Sequence, residues 1–179
     1  MTDINQDSAN RNTFTSGNSI LFFLFLISMG LSVWGILIYR LTIIDTKYLI
    51  VTISIGMIMG FAILKRIKTS YSRFWNFIIK TAIGAGLFYF LLLFLNQKFA
   101  NKEILKDQFQ ILRTGRLPRG GKSSRCFQPY VIIDFYGREK QLIFYCRYAE
   151  SVRNSSKINL TYSKGLFGFD VIKSRELTN

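Results

Sequence analysis

Three long apolar runs, each bounded by polar or basic residues, occupy the first half of the chain, and a two-residue alternation takes over in the second. The first run, Ile20 to Tyr39, holds no charged residue; Ser28 and Ser32 are its only hydroxyl-bearing positions apart from Tyr39. A helix needs about 20 mostly apolar residues to cross a hydrocarbon core about 30 Å thick, so the pattern predicts a transmembrane helix over 20–39. A second, over 48–64, is short, and Lys65 and Arg66 at its end have stems long enough to reach back to the interface. A third is predicted over 77–95. Its Lys80 lies in the first turn, close enough to the edge for the ammonium to rise to the head groups. Tyr39 and Tyr48 at one boundary, with Tyr71 and Trp75 at the other, suit interfacial aromatic belts.

Ahead of these runs, residues 1–19 are polar and rich in Asn, Ser and Thr, which predicts a disordered tail. After them, residues 96–107 mix Phe99 and Leu105 with Lys98, Lys102 and Lys106, the composition of a helical connector lying near the surface. Then the period changes. Val131, Ile133 and Phe135 face one way and Tyr130, Ile132, Asp134 and Tyr136 the other, Gly137-Arg138-Glu139 signals a turn, and Leu142, Phe144, Cys146 and Tyr148 alternate again. Together they predict a β-hairpin. Ile158 to Tyr162, a turn at Ser163-Lys164-Gly165, and Phe167 to Lys173 supply two more strands, and Phe109 to Leu117 a first one. The fold class expected is an α+β membrane protein: three transmembrane helices within 20–95, then a small basic antiparallel β-domain over 108–179. Five short strands fit an OB-like or SH3-like barrel.

Small residues mark where the helices should meet. Gly56 and Gly60 form a GxxxG pair on one face of the second span, and Ala82 and Gly86, with Gly84 and Ala85 between them, offer a matching face on the third. Such faces let helices approach closely and gain van der Waals contact. Packing within the chain is the simpler reading, ahead of an oligomer contact.

The chain carries 24 Lys and Arg against 10 Asp and Glu, a formal net charge of +14. A lipid bilayer with anionic head groups accounts for such a charge, and nucleic acid is the poorer partner. Three spans place the tail and the basic 65–76 loop on one side and the β-domain on the other. The dense charge of that short loop favours a cytoplasmic loop and N-terminus, with the β-domain outside the cytoplasm.

Histidine is absent, which removes imidazole acid–base catalysis, Ser-His and Cys-His nucleophile pairs, and the commonest metal ligand. Asp134, Glu139, Glu150, Asp170 and Glu176 are scattered, with no local spacing that pairs them. No catalytic residue, metal or cofactor is therefore expected. Cys126 and Cys146 form no CxxC pair. A bridge between them would staple a small domain, but a turn centred near Arg138 leaves them some 13 Å apart along a straight strand, and buried free thiols are the alternative.

Between strands, Gly115-Arg116-Leu117-Pro118-Arg119-Gly120-Gly121-Lys122-Ser123 has the look of a P-loop without its spacing, because the leading glycine position holds Arg116. What remains is a Gly-rich loop with Arg113, Arg116, Arg119, Lys122 and Arg125 at three-residue intervals, a candidate for anionic head groups. In plan the chain resembles NfeD-type membrane proteins, in which a helical anchor precedes an OB- or SH3-like barrel; that resemblance implies a fold plan and no activity. The function expected is a non-enzymatic membrane scaffold whose β-domain binds another membrane or surface protein, or anionic lipid. The alternative is a subunit of a transporter or channel, with Lys80 and the glycine faces lining a path.

Overall fold

A computed structural model describes residues 4–117 and 127–178. The chain divides into two compact units, Met1–Tyr39 with Ile44–Lys98, and Arg40–Ile43 with Phe99–Asn179.

The first unit holds three helices: α1 (Ile4–Leu41), α2 (Thr46–Leu64) and α3 (Arg73–Lys98). Each contains a stretch long and apolar enough to cross a membrane, namely Gly17–Leu41, Thr46–Leu64 and Arg73–Lys98. The polar residues expected to form a disordered tail are helical from Ile4 onward, a correction with a simple cause. Adding a residue to an existing helix costs far less than nucleating one, and the apolar run supplies the nucleus. Near its start Asn18 is tied to the α2–α3 loop, accepting a hydrogen bond from the Ser70 backbone N–H at 3.0 Å and donating to the Ser70 hydroxyl.

Helices α2 and α3 meet on glycine. A Cβ at Gly60 would lie 2.6 Å from the Gly84 Cα and 2.7 Å from the Lys80 carbonyl, so the two backbones touch. Ile38 of α1 joins Phe90 and Leu93 of α3 in a small buried cluster, flanked by Leu31, Leu49 and Tyr89. The outward faces stay apolar: Phe23, Val33, Ile58, Ile63 and Phe77 are all exposed.

The second unit is a six-stranded antiparallel sheet. Its strands are β1 (Thr42–Ile43), β2 (Leu105–Arg116), β3 (Pro129–Asp134), β4 (Glu139–Ile143), β5 (Lys157–Lys164) and β6 (Asp170–Thr178), in the order β1-β6-β5-β2-β3-β4. Five strands were expected; the sixth is β1, two residues from the connection between the first two helices. It pairs Thr42 with Val171 and Ile43 with Asp170. Strand β2 serves two partners, β5 along 105–110 and β3 along 111–116, with a bulge at Leu112 that bends it. This bend curls the sheet until its two edge strands approach, and the Lys140 ammonium of β4 donates to the Thr42 carbonyl of β1 at 2.6 Å. The result is nearly a closed barrel. Val131, Ile133 and Leu142 fill it with Ile158, Leu160 and Ile172, all under 5% exposed.

Two further expectations change. The connector over 96–107 is helical only to Lys98; the Asn101 N–H then bonds the Lys164 carbonyl at 2.7 Å and the Asn101 side chain accepts from the Glu103 N–H. These bonds satisfy the backbone in an irregular path that leads into β2. The second strand of the hairpin also stops early, at Ile143. Cys146–Tyr148 forms a 3-10 turn, and α4 (Ala149–Asn154) follows, setting Val152 into the barrel core.

The hairpin turn is Tyr136-Gly137, since Phe135 and Arg138 exchange both backbone hydrogen bonds at 2.8 and 3.2 Å. Both loop residues have positive φ, +50° and +81°. A two-residue turn of this twist needs that geometry, which suits Gly137 and strains Tyr136.

A basic, aromatic groove on the barrel

Tyr136 gains two contacts from its strained backbone. Its ring packs edge-on against Phe109 and Phe135, and its hydroxyl donates to Asp107 Oδ2 at 2.7 Å. Tyr162, buried, donates to the same oxygen at 2.6 Å. The Tyr162 hydroxyl bond, then that of Tyr136, holds the Asp107 carboxyl below its ordinary range, while burial followed by the hydrogen bond to Asp107 pushes the Tyr162 phenol up. A carboxylate accepting two phenols is a charge-assisted brace between β2, the hairpin and β5. It binds no proton in the neutral range and offers no acid–base pair. Replacing Asp107 with Asn should lower the pH at which Tyr162 ionises, because one cause of its elevation disappears. Ultraviolet difference titration against a Tyr162→Phe control measures that shift.

Elsewhere in this unit lies a groove of about 750 Å³. One wall is Arg175, Glu176 and Leu177 of β6. The rest is lined by Phe144, Tyr145, Arg147 and Tyr148 with one side of α4, from Glu150 to Ser155 just beyond it. Arg175 is half-buried, with its guanidinium over the Phe144 ring at 4.7 Å, and burial lowers its pKa. Arg147 stacks on Tyr148 at 4.9 Å and reaches Tyr145 at 5.9 Å. Stacking fixes a guanidinium while leaving its N–H edge available for an acceptor. Among the described residues neither arginine has a carboxylate within ion-pair distance, although Glu150 and Glu176 line the same groove.

The residues singled out in the sequence lie elsewhere. Arg113 contacts both oxygens of Glu139, at 3.0 and 3.2 Å, in an exposed ion pair. Arg116 is exposed at the end of β2, while Arg119, Lys122 and Arg125 fall outside the described residues. Cys126 does so too; Cys146 opens the 3-10 turn and is disulfide-bonded. In the helical unit Gly56 and Gly60 meet Gly84, while Gly86 faces the Ser28 and Ser32 hydroxyls of α1 and Ala82 lines an apolar groove beside it. Lys80 is buried, 4% exposed, and its ammonium donates to the Ile67 carbonyl at 3.0 Å, beyond the end of α2.

Sequence reading missed Arg147 and Arg175. Arg147 sits in a segment whose alternation looked like strand, and Arg175 reaches Phe144 only because the sheet curls. No local signal joins them. Compared with protein-family models, curated proteins and solved structures, the chain matches none.

Proposed function

We propose that the chain is a non-catalytic membrane scaffold: its three helices cross the bilayer, and its barrel-like domain holds a partner protein through the groove beside Arg147 and Arg175. The observation that carries this reading is the pair of guanidiniums stacked on aromatic rings without ion-pair partners among the described residues. Arginine and tyrosine in one cleft are the side chains most enriched where binding energy concentrates.

Several features support the rest. The exposed apolar faces of α1, α2 and α3 suit lipid rather than water. The strand succession β2-β3-β4, across a seam to β6, then β5 and back to β2, with a helix between β4 and β5, favours an OB-like over an SH3-like barrel. A disulfide at Cys146 belongs in an oxidising compartment, which favours the β-domain outside the cytoplasm and the N-terminus and 65–76 loop within it. Lys80 is engaged by the Ile67 carbonyl and the glycines by helix contact, so neither is free to line a transport path.

In-cell crosslinking tests the function. Partners captured by the intact chain should be lost from a chain truncated after Asn96 and from an Arg147→Ala/Arg175→Ala variant; unchanged capture by the truncated chain overturns the reading. For orientation, a membrane-impermeant maleimide should label Cys146 in intact cells only after reduction. Labelling that requires permeabilised cells places the domain inside.

A further inference from the structure

The barrel's seam is filled for two residues and then left open. On its inner side β6 pairs with β5 from Asp170 to Thr178, whereas on its outer side β1 pairs with Asp170 and Val171 alone. Among the described residues the edge of β6 beyond Val171 has no strand beside it, and neither does the outer edge of β4. Two ties show how these edges lie. Lys140 of β4 reaches Thr42, the partner of Val171, and Phe144, just past the end of β4, meets Arg175 of β6. The edges therefore run side by side in the same direction with β1 between them at one end. The groove of about 750 Å³ lies in line with β1, along Arg175 to Leu177.

We propose that this groove takes an extended segment of a partner protein, which adds to the free edge of β6 as an antiparallel strand continuing the line of β1. The inference rests on the partner-protein reading and names how the partner is held. Main-chain hydrogen bonds to β6 supply sequence-independent affinity, and alternate side chains supply the choice of sequence. Residues directly opposite on an antiparallel pair interact most strongly. Opposite Leu177, Glu176 and Arg175 the incoming strand, read from its own N-terminus, carries an apolar, a basic and an acidic residue. The acidic one meets the guanidinium held on Phe144, with Arg147 on the far wall. The basic one meets Glu176, which has no cation within ion-pair distance among the described residues. The groove's two arginines and two glutamates thus call for an ordered pair of charges rather than a bare anion.

The test uses the full chain purified in detergent and fluorescence anisotropy of a blocked, labelled peptide, Thr-Val-Lys-Glu-Val-Thr. Its charge-reversed form, Thr-Val-Glu-Lys-Val-Thr, should bind about tenfold more weakly, since two favourable cross-strand pairs become like-charge pairs. The first peptide, N-methylated at alternate backbone positions, should not bind. An Arg175→Glu/Glu176→Lys variant should invert the preference between the two orders, a readout that a merely weakened domain would not give. Equal binding of the N-methylated peptide overturns strand addition. So does full competition by inorganic phosphate with no dependence on charge order, which assigns the groove to a simple anion. If no peptide binds while crosslinked partners still depend on Arg147 and Arg175, strand addition falls alone; if those partners are also independent of the arginines, the scaffold reading falls with it.

Discussion

Gly84→Ala is expected to drive α2 and α3 apart and to lower stability by about 3 kcal/mol, at the upper end of overpacking costs. The added methyl would lie 2.5 Å from the Gly60 Cα and 2.8 Å from its nitrogen, with the Gly56 carbonyl closer still. All of these are backbone atoms, which cannot swing away as a side-chain tip can. Relief comes only by separating the helices. In a bilayer, van der Waals contact is the main attraction between helices, because lipid tails match an apolar side chain for apolar side chain. Gly30→Ala is the matched control, since a Cβ there meets nothing within 4 Å. Thermal unfolding of both variants in the same detergent should show a large loss for Gly84→Ala and no loss, or a small gain, for Gly30→Ala. Equal behaviour would mean that the glycine contact does not hold the pair.

The second large effect is a rise of stability with pH. Burial lowers the Lys140 ammonium to about 8 from its ordinary 10.5. Between those values the unfolded chain holds a proton that the folded barrel has released, so stability increases with pH. The slope is about 1.4 kcal/mol per pH unit for one group, giving roughly 2–3 kcal/mol between pH 8 and 10. Above pH 10 the sign reverses, because the elevated Tyr162 keeps its proton in the folded state while unfolded tyrosine loses it. Lys140→Met should flatten the rise below pH 10 and leave the fall above it. Denaturant unfolding at several pH values, wild type against variant, measures both limbs. A wild-type curve parallel to that of the variant would show that Lys140 does not carry the effect.

What the amino-acid order disclosed depended on how local each signal was. The long helices are local: an uncharged apolar run such as Ile20 to Tyr39 announces one without help from elsewhere. The hairpin is local too, and Val131, Ile133, Phe135, Leu142 and Phe144 are all buried as their alternation indicated. Its turn was displaced by one or two residues because Tyr136 accepts a positive φ that propensity assigns to Asn or Gly. That shift sets Ile143 opposite Tyr130, and the strand ends there. Strand β1 was illegible for a different reason. Thr42 and Ile43 are too few to show any period, and they are strand only because Val171 and Asp170 lie beside them. The groove inherits that difficulty. Arg147 and Arg175 become neighbours through the curl that the β2 bulge imposes, and charge spacing drew attention instead to Arg113, which Glu139 occupies.

One consequence of β1 concerns time rather than space. Thr42 and Ile43 are made directly after the first helix, yet their hydrogen-bonding partners at Asp170 and Val171 follow only after β2 to β5 have all been made. Closing a contact across so much chain is slow compared with local pairing. The outermost strand therefore waits for its neighbour through the synthesis of α2, α3 and nearly all of the barrel. Synthesis of β6, rather than of the three long helices, is the event that lets this domain acquire its final edge.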